Sequence, residues 1–414
     1  PKMFNREDLG KEMMEQLDKE YTEEDLALMD GSYRALGLMP PDLESKELVT
    51  KLLTEEVAGF YDPDNKRMVL IVEDGPKEPP NWLGRLLGAR PTFDKDEQKT
   101  TLAHELTHAL QDQLYDLNAM QDGIEDDDDM LLAFSALVEG DATLLMFAEP
   151  QGGDISDMDP DAMRATFNMM SWMMPLAGGE TYRKAPPIFR DSLVFPYFQG
   201  MLFTLAVAGN NGWQSIHSAY QHPPLSTEQI LHPEKYLDQE KLDVPQTVAI
   251  PDVTKELGDS WKRLGGNCLG ELQTYIMLKK VRGGKTASLG WDGDTYEIYQ
   301  QQNGKLGLVF VSIWDSPEDA DEFAKAYTTY RSQNPMGTDS VFFDSAEHQV
   351  QVREDKVYIV GGFEESATKQ VMESLQSTTF ADKTFPLPDP RETSAENESK
   401  GADDVDASAT IETP

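Results

Sequence analysis

The chain has 414 residues, and 75 acidic side chains against 36 basic ones leave a formal net charge of −39 and an isoelectric point near 4.3. Such a field repels nucleic-acid phosphates and anionic lipid surfaces, so neither is an expected partner. The single Cys268 excludes an intramolecular disulfide and a thiolate-rich metal cluster, and the absence of any uninterrupted run of about 18 apolar residues leaves no integral membrane segment expected.

A chain of this length holds two domains with ample core. Residues 5–37 read as one or two helices, and Pro40-Pro41 punctuates the chain before another helix at 43–56. Residues 57–61 and 68–72 form two short strands about the turn Asp62-Pro63-Asp64-Asn65. A loop at 76–91 carries a short amphipathic piece, Trp82-Leu83 with Leu86-Leu87. From Glu97 to Gln121 no proline or glycine intervenes, and Leu102, Leu106, Leu110 and Leu114 repeat every four residues. This stretch predicts a helix capped by Asp94 or Asp96.

Within that helix stands His104-Glu105-Leu106-Thr107-His108. Imidazoles four residues apart lie one above the other and can grip one Zn²⁺, with the intervening glutamate held beside it. Only six histidines occur in the chain. A chance match therefore has a probability on the order of 1 in 100, which favours a metal motif over a surface helix with two exposed histidines. A tetrahedral site needs a third protein ligand. Residues 130–147 are almost wholly apolar, which predicts a buried helix, and Glu139 sits inside it. A buried carboxylate requires a cation or strong donors, so Glu139 is the third candidate, its alternative being an exposed helix edge. The acidic run Glu125-Asp126-Asp127-Asp128-Asp129 lacks the spacing and glycine of an EF-hand and is expected as a solvated loop. Asp112, four residues after His108, is a candidate to support the site from behind or to join it as a ligand.

Further helices are predicted near 160–173, 195–209, 212–220 and 268–280. From 284 the texture changes. Alternating strands at 295–300 and 306–313 precede a helix opened by Asp315-Ser316-Pro317-Glu318 and running to Tyr330. A hairpin of 349–353 and 356–360 and a helix over 364–375 complete a β-β-α-β-β-α order, a compact α+β module without a catalytic constellation. Residues 381–414, rich in Asp, Glu, Ser, Thr and Ala, are expected to be a disordered acidic tail.

A His-Glu-x-x-His helix followed by a glutamate on the next helix resembles the gluzincins, the thermolysin-like branch of the zincin (peptidase MA-like) zinc metallopeptidases. The stretches Val57-Ala58-Gly59-Phe60-Tyr61-Asp62-Pro63, residues 104–113, residues 137–143, Phe195-Pro196-Tyr197 and residues 226–236 resemble a little-characterised bacterial group within them. The likeness covers residues 45–280. It implies an α+β protein: a mostly helical zincin-like domain over 1–283 with a helical lead-in at 1–56 and a small β-hairpin. An accessory α+β domain at 284–380 and the tail follow.

The resemblance further implies Zn²⁺ held by His104, His108 and Glu139, with Glu105 as general base in a zinc-dependent hydrolase, expected to be an endopeptidase, acting on a peptide or protein substrate. The alternative is a catalytically inactive zinc protein of the same build that binds peptides or proteins. Two departures stand out. The interval between His108 and Glu139 is longer than in thermolysin-like enzymes, and Thr143 stands where those often place an aspartate that orients a histidine. Asp141 falls on another helix face and is expected to bind something other than the first histidine. His232 and Tyr236 are the candidate oxyanion donors, with His222 competing and a packing or capping role as the alternative for each. The first hairpin takes the position of a substrate-aligning edge, a purely structural hairpin being the alternative. A first residue that is not methionine fits removal of a leader, and hence a secreted or periplasmic location.

Overall fold

The computed structural model describes residues 2–4, 8, 10–12, 14–15, 21–56, 59–62, 65–71, 95–124, 127–149, 152–177, 179–209, 211–333 and 348–387. The amphipathic piece at 82–87, the Asp94 cap and the acidic tail beyond 387 lie outside them. The chain opens with β1 (Lys2–Phe4), α1 (Glu23–Ala35), α2 (Ser45–Glu56), β2 (Gly59–Asp62), β3 (Arg67–Ile71) and the long α3 (Lys95–Tyr115). A helical stretch follows: α4 (Leu117–Asp122), α5 (Asp128–Ala148), α6 (Pro160–Ala177), α7 (Glu180–Lys184), α8 (Pro187–Ala208), α9 (Trp213–Ala219), α10 (Thr227–Leu231) and α11 (Glu234–Leu237). Strand β4 (Gln246–Ala249), α12 (Thr254–Leu257), β5 (Trp261–Asn267) and α13 (Gly270–Leu278) come next. The chain continues through β6 (Trp291–Gln301), β7 (Leu306–Trp314), α14 (Pro317–Gln333), β8 (Gln349–Arg353), β9 (Lys356–Gly361), α15 (Glu365–Ser374) and β10 (Thr379–Asp382). The fold is α+β.

Helix α5 is apolar on nearly every side, and such a helix is stable only when buried on every side. Asp127 caps it through the Met130 N–H, and Asp128 and Asp129 in its first turn complement the helix dipole. Its main neighbour is α8, entered through Pro187 and running antiparallel, so that Glu139 faces Tyr197 and Ala136 faces Gly200. Both helices meet the length and mean hydropathy of a membrane span, although neither is an uninterrupted apolar run. In each, 61% of that window is buried inside the protein.

The five-stranded sheet has the order β5-β6-β7-β9-β8, antiparallel throughout. Every residue of β7 is buried, because the sheet is covered on both faces. Leu308 and Phe310 join the core that holds Phe323 of α14, while Val309 and Val311 join the one that holds Val371 of α15. The first of these cores is continuous with Phe134 and Leu137 of α5, so the sheet and the helical region share it. Two boundaries differ from the sequence reading. The sheet reaches back to Trp261, upstream of the division at 284, because β5 pairs with β6 despite a register shift between Arg263 and Gly265. Residues 381–383, expected within the acidic tail, are instead packed: β10 pairs with β4 through Asp382, and Lys383 is buried.

The acidic run ahead of α5 is not a solvated loop where it is described. Asp127 pairs with Lys383, and Asp129 is buried, accepting hydrogen bonds from the Thr227 hydroxyl and N–H. Burial pushes the Asp129 carboxyl from 3.8 up to about 7, with Asp127 and Asp294 adding to the rise and Lys383 and the Thr227 bond opposing it. A carboxyl that binds its proton more tightly when folded contributes stability below its unfolded pKa and loses it as pH rises through the folded one. Stability is therefore expected to fall between about pH 4 and pH 7. Asp129→Asn is expected to flatten that fall, measured by denaturant unfolding across the window. An unchanged slope would show that Asp129 is ionised throughout.

Candidate metal centre

Helix α3 turns its polar side inward. Leu102, Leu106, Leu110 and Leu114 are 41–57% exposed, whereas His104, Glu105, Gln111 and Asp112 are buried. An apolar stripe ordinarily marks the buried face. Here polar side chains of the opposite face find partners on α5 and on the β2–β3 hairpin.

The histidine rings stand edge to face, with Nε2 atoms 3.1 Å apart. Across the helix interface, Glu139 Oε2 lies 3.2 Å from His104 Nε2 and 3.3 Å from His108 Nε2. Tetrahedral ligands about 2.0–2.1 Å from zinc stand roughly 3.3–3.4 Å from one another. Glu139 Oε2 is buried and receives no hydrogen bond, so the donor set, its spacing and its orphaned oxygen all suit a divalent cation such as zinc.

The electrostatics agree. Burial works against ionisation of Glu139, but His108 and His104 outweigh it and hold the carboxyl well below the usual range. Burial likewise opposes charge on His108, yet the adjoining Glu139 raises its pKa to about 9. A proton and a metal ion thus compete for the same nitrogen. Glu105 is not among the three converging side chains. Burial raises its carboxyl, Glu139 adds to the rise, and the two imidazoles and a hydrogen bond from the Tyr61 N–H oppose it.

Behind the ligands, His108 Nδ1 lies 2.9 Å from Gln111 Oε1. Gln111 Nε2 donates to the Val138 carbonyl at 3.0 Å and to Asp141 at 2.8 Å, and Asp141 also accepts from the Tyr220 hydroxyl. Asp141 therefore binds elsewhere than the first histidine, as its helix face predicts. Tyr197 reaches in from α8: its hydroxyl is 3.4 Å from Glu139 Oε1 and its ring lies nearly parallel to that of His104. Burial, with Glu139 and Glu105 nearby, raises the Tyr197 pKa well above its usual value, so the hydroxyl keeps its proton.

Other predicted residues lie elsewhere. Asp112 is not part of the converging group; it accepts from Tyr61 and Lys66 and so ties α3 to the hairpin. Of the oxyanion candidates, His232 pairs with Glu271, and Tyr236 donates to the His222 carbonyl and packs on Phe203. Among the described residues no hydrogen bond, ion pair or ring contact joins His232, Tyr236 or His222 to the histidine–glutamate group. Tyr197 and Gln111, which sequence had not singled out for a role, instead reach the histidine–glutamate group. The signal for Gln111 was its position one turn beyond His108 on the same face. For Tyr197, sequence offered only its place in Phe195-Pro196-Tyr197.

Two further groups close enough to share a cation each already face a lysine: Asp127, Asp129 and Cys268 with Lys383, and Glu228, Asp243 and Asp315 with Lys235. Residues 260–372 match a family described as a domain of unknown function (DUF8575), a stretch that covers the five-stranded sheet and leaves out the histidine–glutamate group. No curated protein and no solved structure matches the chain.

Proposed function

We propose that the protein is a zinc-dependent peptide-bond hydrolase, an endopeptidase built on a zincin-like core. One observation carries the reading. Two imidazole nitrogens and one carboxylate oxygen, from helices distant in sequence, lie 3.1–3.3 Å apart about a common point. Bound there, zinc supplies Lewis acidity that polarises a carbonyl and acidifies water. Glu105 takes the proton released as water attacks the peptide carbonyl carbon and returns it to the leaving amine when the C–N bond breaks. Its carboxyl, raised by burial, is better matched to both steps than an exposed one. Tyr197, held protonated, donates to the oxygen on which negative charge develops, the part first assigned to His232 or Tyr236.

The hairpin supports substrate alignment. β3 lies between β1 and β2, so β2 is an edge strand whose outer side pairs with no described strand. The N–H of Tyr61 in that strand bonds Glu105. An extended peptide adding to this edge runs beside the general base.

Zinc titration of the purified chain tests the reading. One zinc per chain is expected, lost when His104, His108 or Glu139 is replaced by alanine, and chelation is expected to stop cleavage of an unfolded protein. Undiminished zinc binding after all three replacements would overturn the assignment.

A further inference from the structure

We propose that Gln111 is the positioning residue of the zinc site: it fixes the tautomer and ring orientation of His108 and anchors that ring to helix α5 through Asp141 and Val138. The inference rests on the zinc reading above and assigns a role that the ligand pattern does not contain.

A glutamine side chain has one acceptor and one donor end. Its Nε2 faces two acceptors, the Val138 carbonyl at 3.0 Å and the Asp141 carboxylate at 2.8 Å. That leaves Oε1 turned to His108 Nδ1, 2.9 Å away, and an amide oxygen only accepts. Nδ1 therefore carries the proton, and in the neutral ring the lone pair falls on Nε2, the atom that faces Glu139 and His104. The orientation of the amide is itself fixed, because reversing it sets the carbonyl oxygen against two other acceptors.

Gln111 is 2% exposed, so no solvent competes for these bonds. The brace also extends beyond it. Asp141 accepts from the Tyr220 hydroxyl at 3.2 Å, which ties the chain of bonds to the end of α9. His104 has nothing equivalent: its Nδ1 is buried without a partner, and the Thr143 hydroxyl, one turn beyond Glu139, is buried and unpaired. Among the described residues only one of the two imidazoles is held from behind by a hydrogen bond, and Gln111 is what holds it. Because Gln111 bonds to both His108 on α3 and Val138 on α5, it also sets the distance between the histidine pair and Glu139, the residue next to Val138.

The test is zinc affinity, measured by competition with a chromophoric chelator alongside the thermal midpoint of each variant. Gln111→Ala is expected to weaken zinc about 10–100-fold, with the fold retained. Gln111→Glu alone is expected to remain weak, since it sets a carboxylate against Asp141. The paired change Gln111→Glu with Asp141→Asn turns one of the two opposed acceptors into a donor while keeping an acceptor at His108; because the Val138 carbonyl still faces an oxygen, it is expected to recover part of the affinity lost in Gln111→Glu. The d–d spectrum of the cobalt(II)-substituted protein should change in Gln111→Ala and shift part of the way back in the paired variant. Wild-type affinity in Gln111→Ala, or a loss that follows a lowered midpoint and is not recovered by the paired change, would overturn the inference and leave the zinc site standing. A wild-type chain that binds no zinc would remove both.

Discussion

Replacing Glu105 with glutamine is expected to cut peptide hydrolysis about 10²–10⁴-fold while leaving one zinc per chain. The separation of the two readouts follows from geometry. Glu105 lies between the histidines in sequence but outside the group of three ligand atoms, so it contributes no coordinating oxygen. Glutamine keeps the size of the side chain and an oxygen for the Tyr61 N–H, but it cannot accept a proton. Burial opposes the Glu105 charge, so its neutral replacement is not expected to lower stability. Tyr197→Phe gives a second arm. It keeps the ring beside His104 and removes only the hydroxyl, and a loss of about 10²–10³-fold in kcat with KM little changed is expected of an oxyanion donor. Undiminished turnover in Glu105→Gln would exclude it as the base. A zinc-replete wild type that cleaves no unfolded protein would favour the peptide-binding alternative.

The convergence of His104, His108 and Glu139 was legible because each of them violates a simpler expectation. Two histidines at helical spacing in a histidine-poor chain, and a lone glutamate inside an apolar helix, each call for a compensating partner. What periodicity could not say was which side of α3 faces inward. It marks two faces, and the choice depends on whether buried polar groups find partners in elements far away in sequence. Gln111 finds Val138 and Asp141, Asp112 finds Tyr61 and Lys66, and the leucines are left outside. Gln111 and Asp112 are adjacent yet about 100° apart on the helix, so one serves the ligands and the other the hairpin. His232 and Tyr236 illustrate the same limit, because a short polar stretch carries no information about which part of a distant helix it meets. Strand β5 escaped for a local reason: Trp261-Lys262-Arg263-Leu264-Gly265-Gly266-Asn267 does not alternate, and its glycines accompany a register shift.

Gly200→Ala should destabilise the fold by about 1–3 kcal/mol and weaken zinc binding with it, although alanine is the better helix former. The contact decides the sign. A Cβ at position 200 would lie 2.1 Å from the Ala136 carbonyl oxygen and 2.9 Å from its carbon. These are backbone atoms and cannot move to another rotamer, so α5 and α8 must separate. The gain in helix propensity, about 1 kcal/mol, applies in full only if they do not. Gly140→Ala meets the Gly200 backbone at 2.2 Å, so the same seam is closed from both sides. Glu139 precedes one of these glycines and Tyr197 lies one turn before the other, which couples the packing defect to the ligand triangle. Ligand spacings of 3.1–3.3 Å leave little room for such a shift. Because the clash is with main chain, adding Ala136→Gly is expected to give no relief, whereas a side-chain collision would be relieved by that trimming. Urea unfolding of the single and paired variants, read beside zinc affinity, separates these outcomes. A more stable Gly200→Ala protein with unaltered zinc affinity would mean that α5 and α8 do not approach this closely, and that the position of Glu139 is set by something other than the glycine seam.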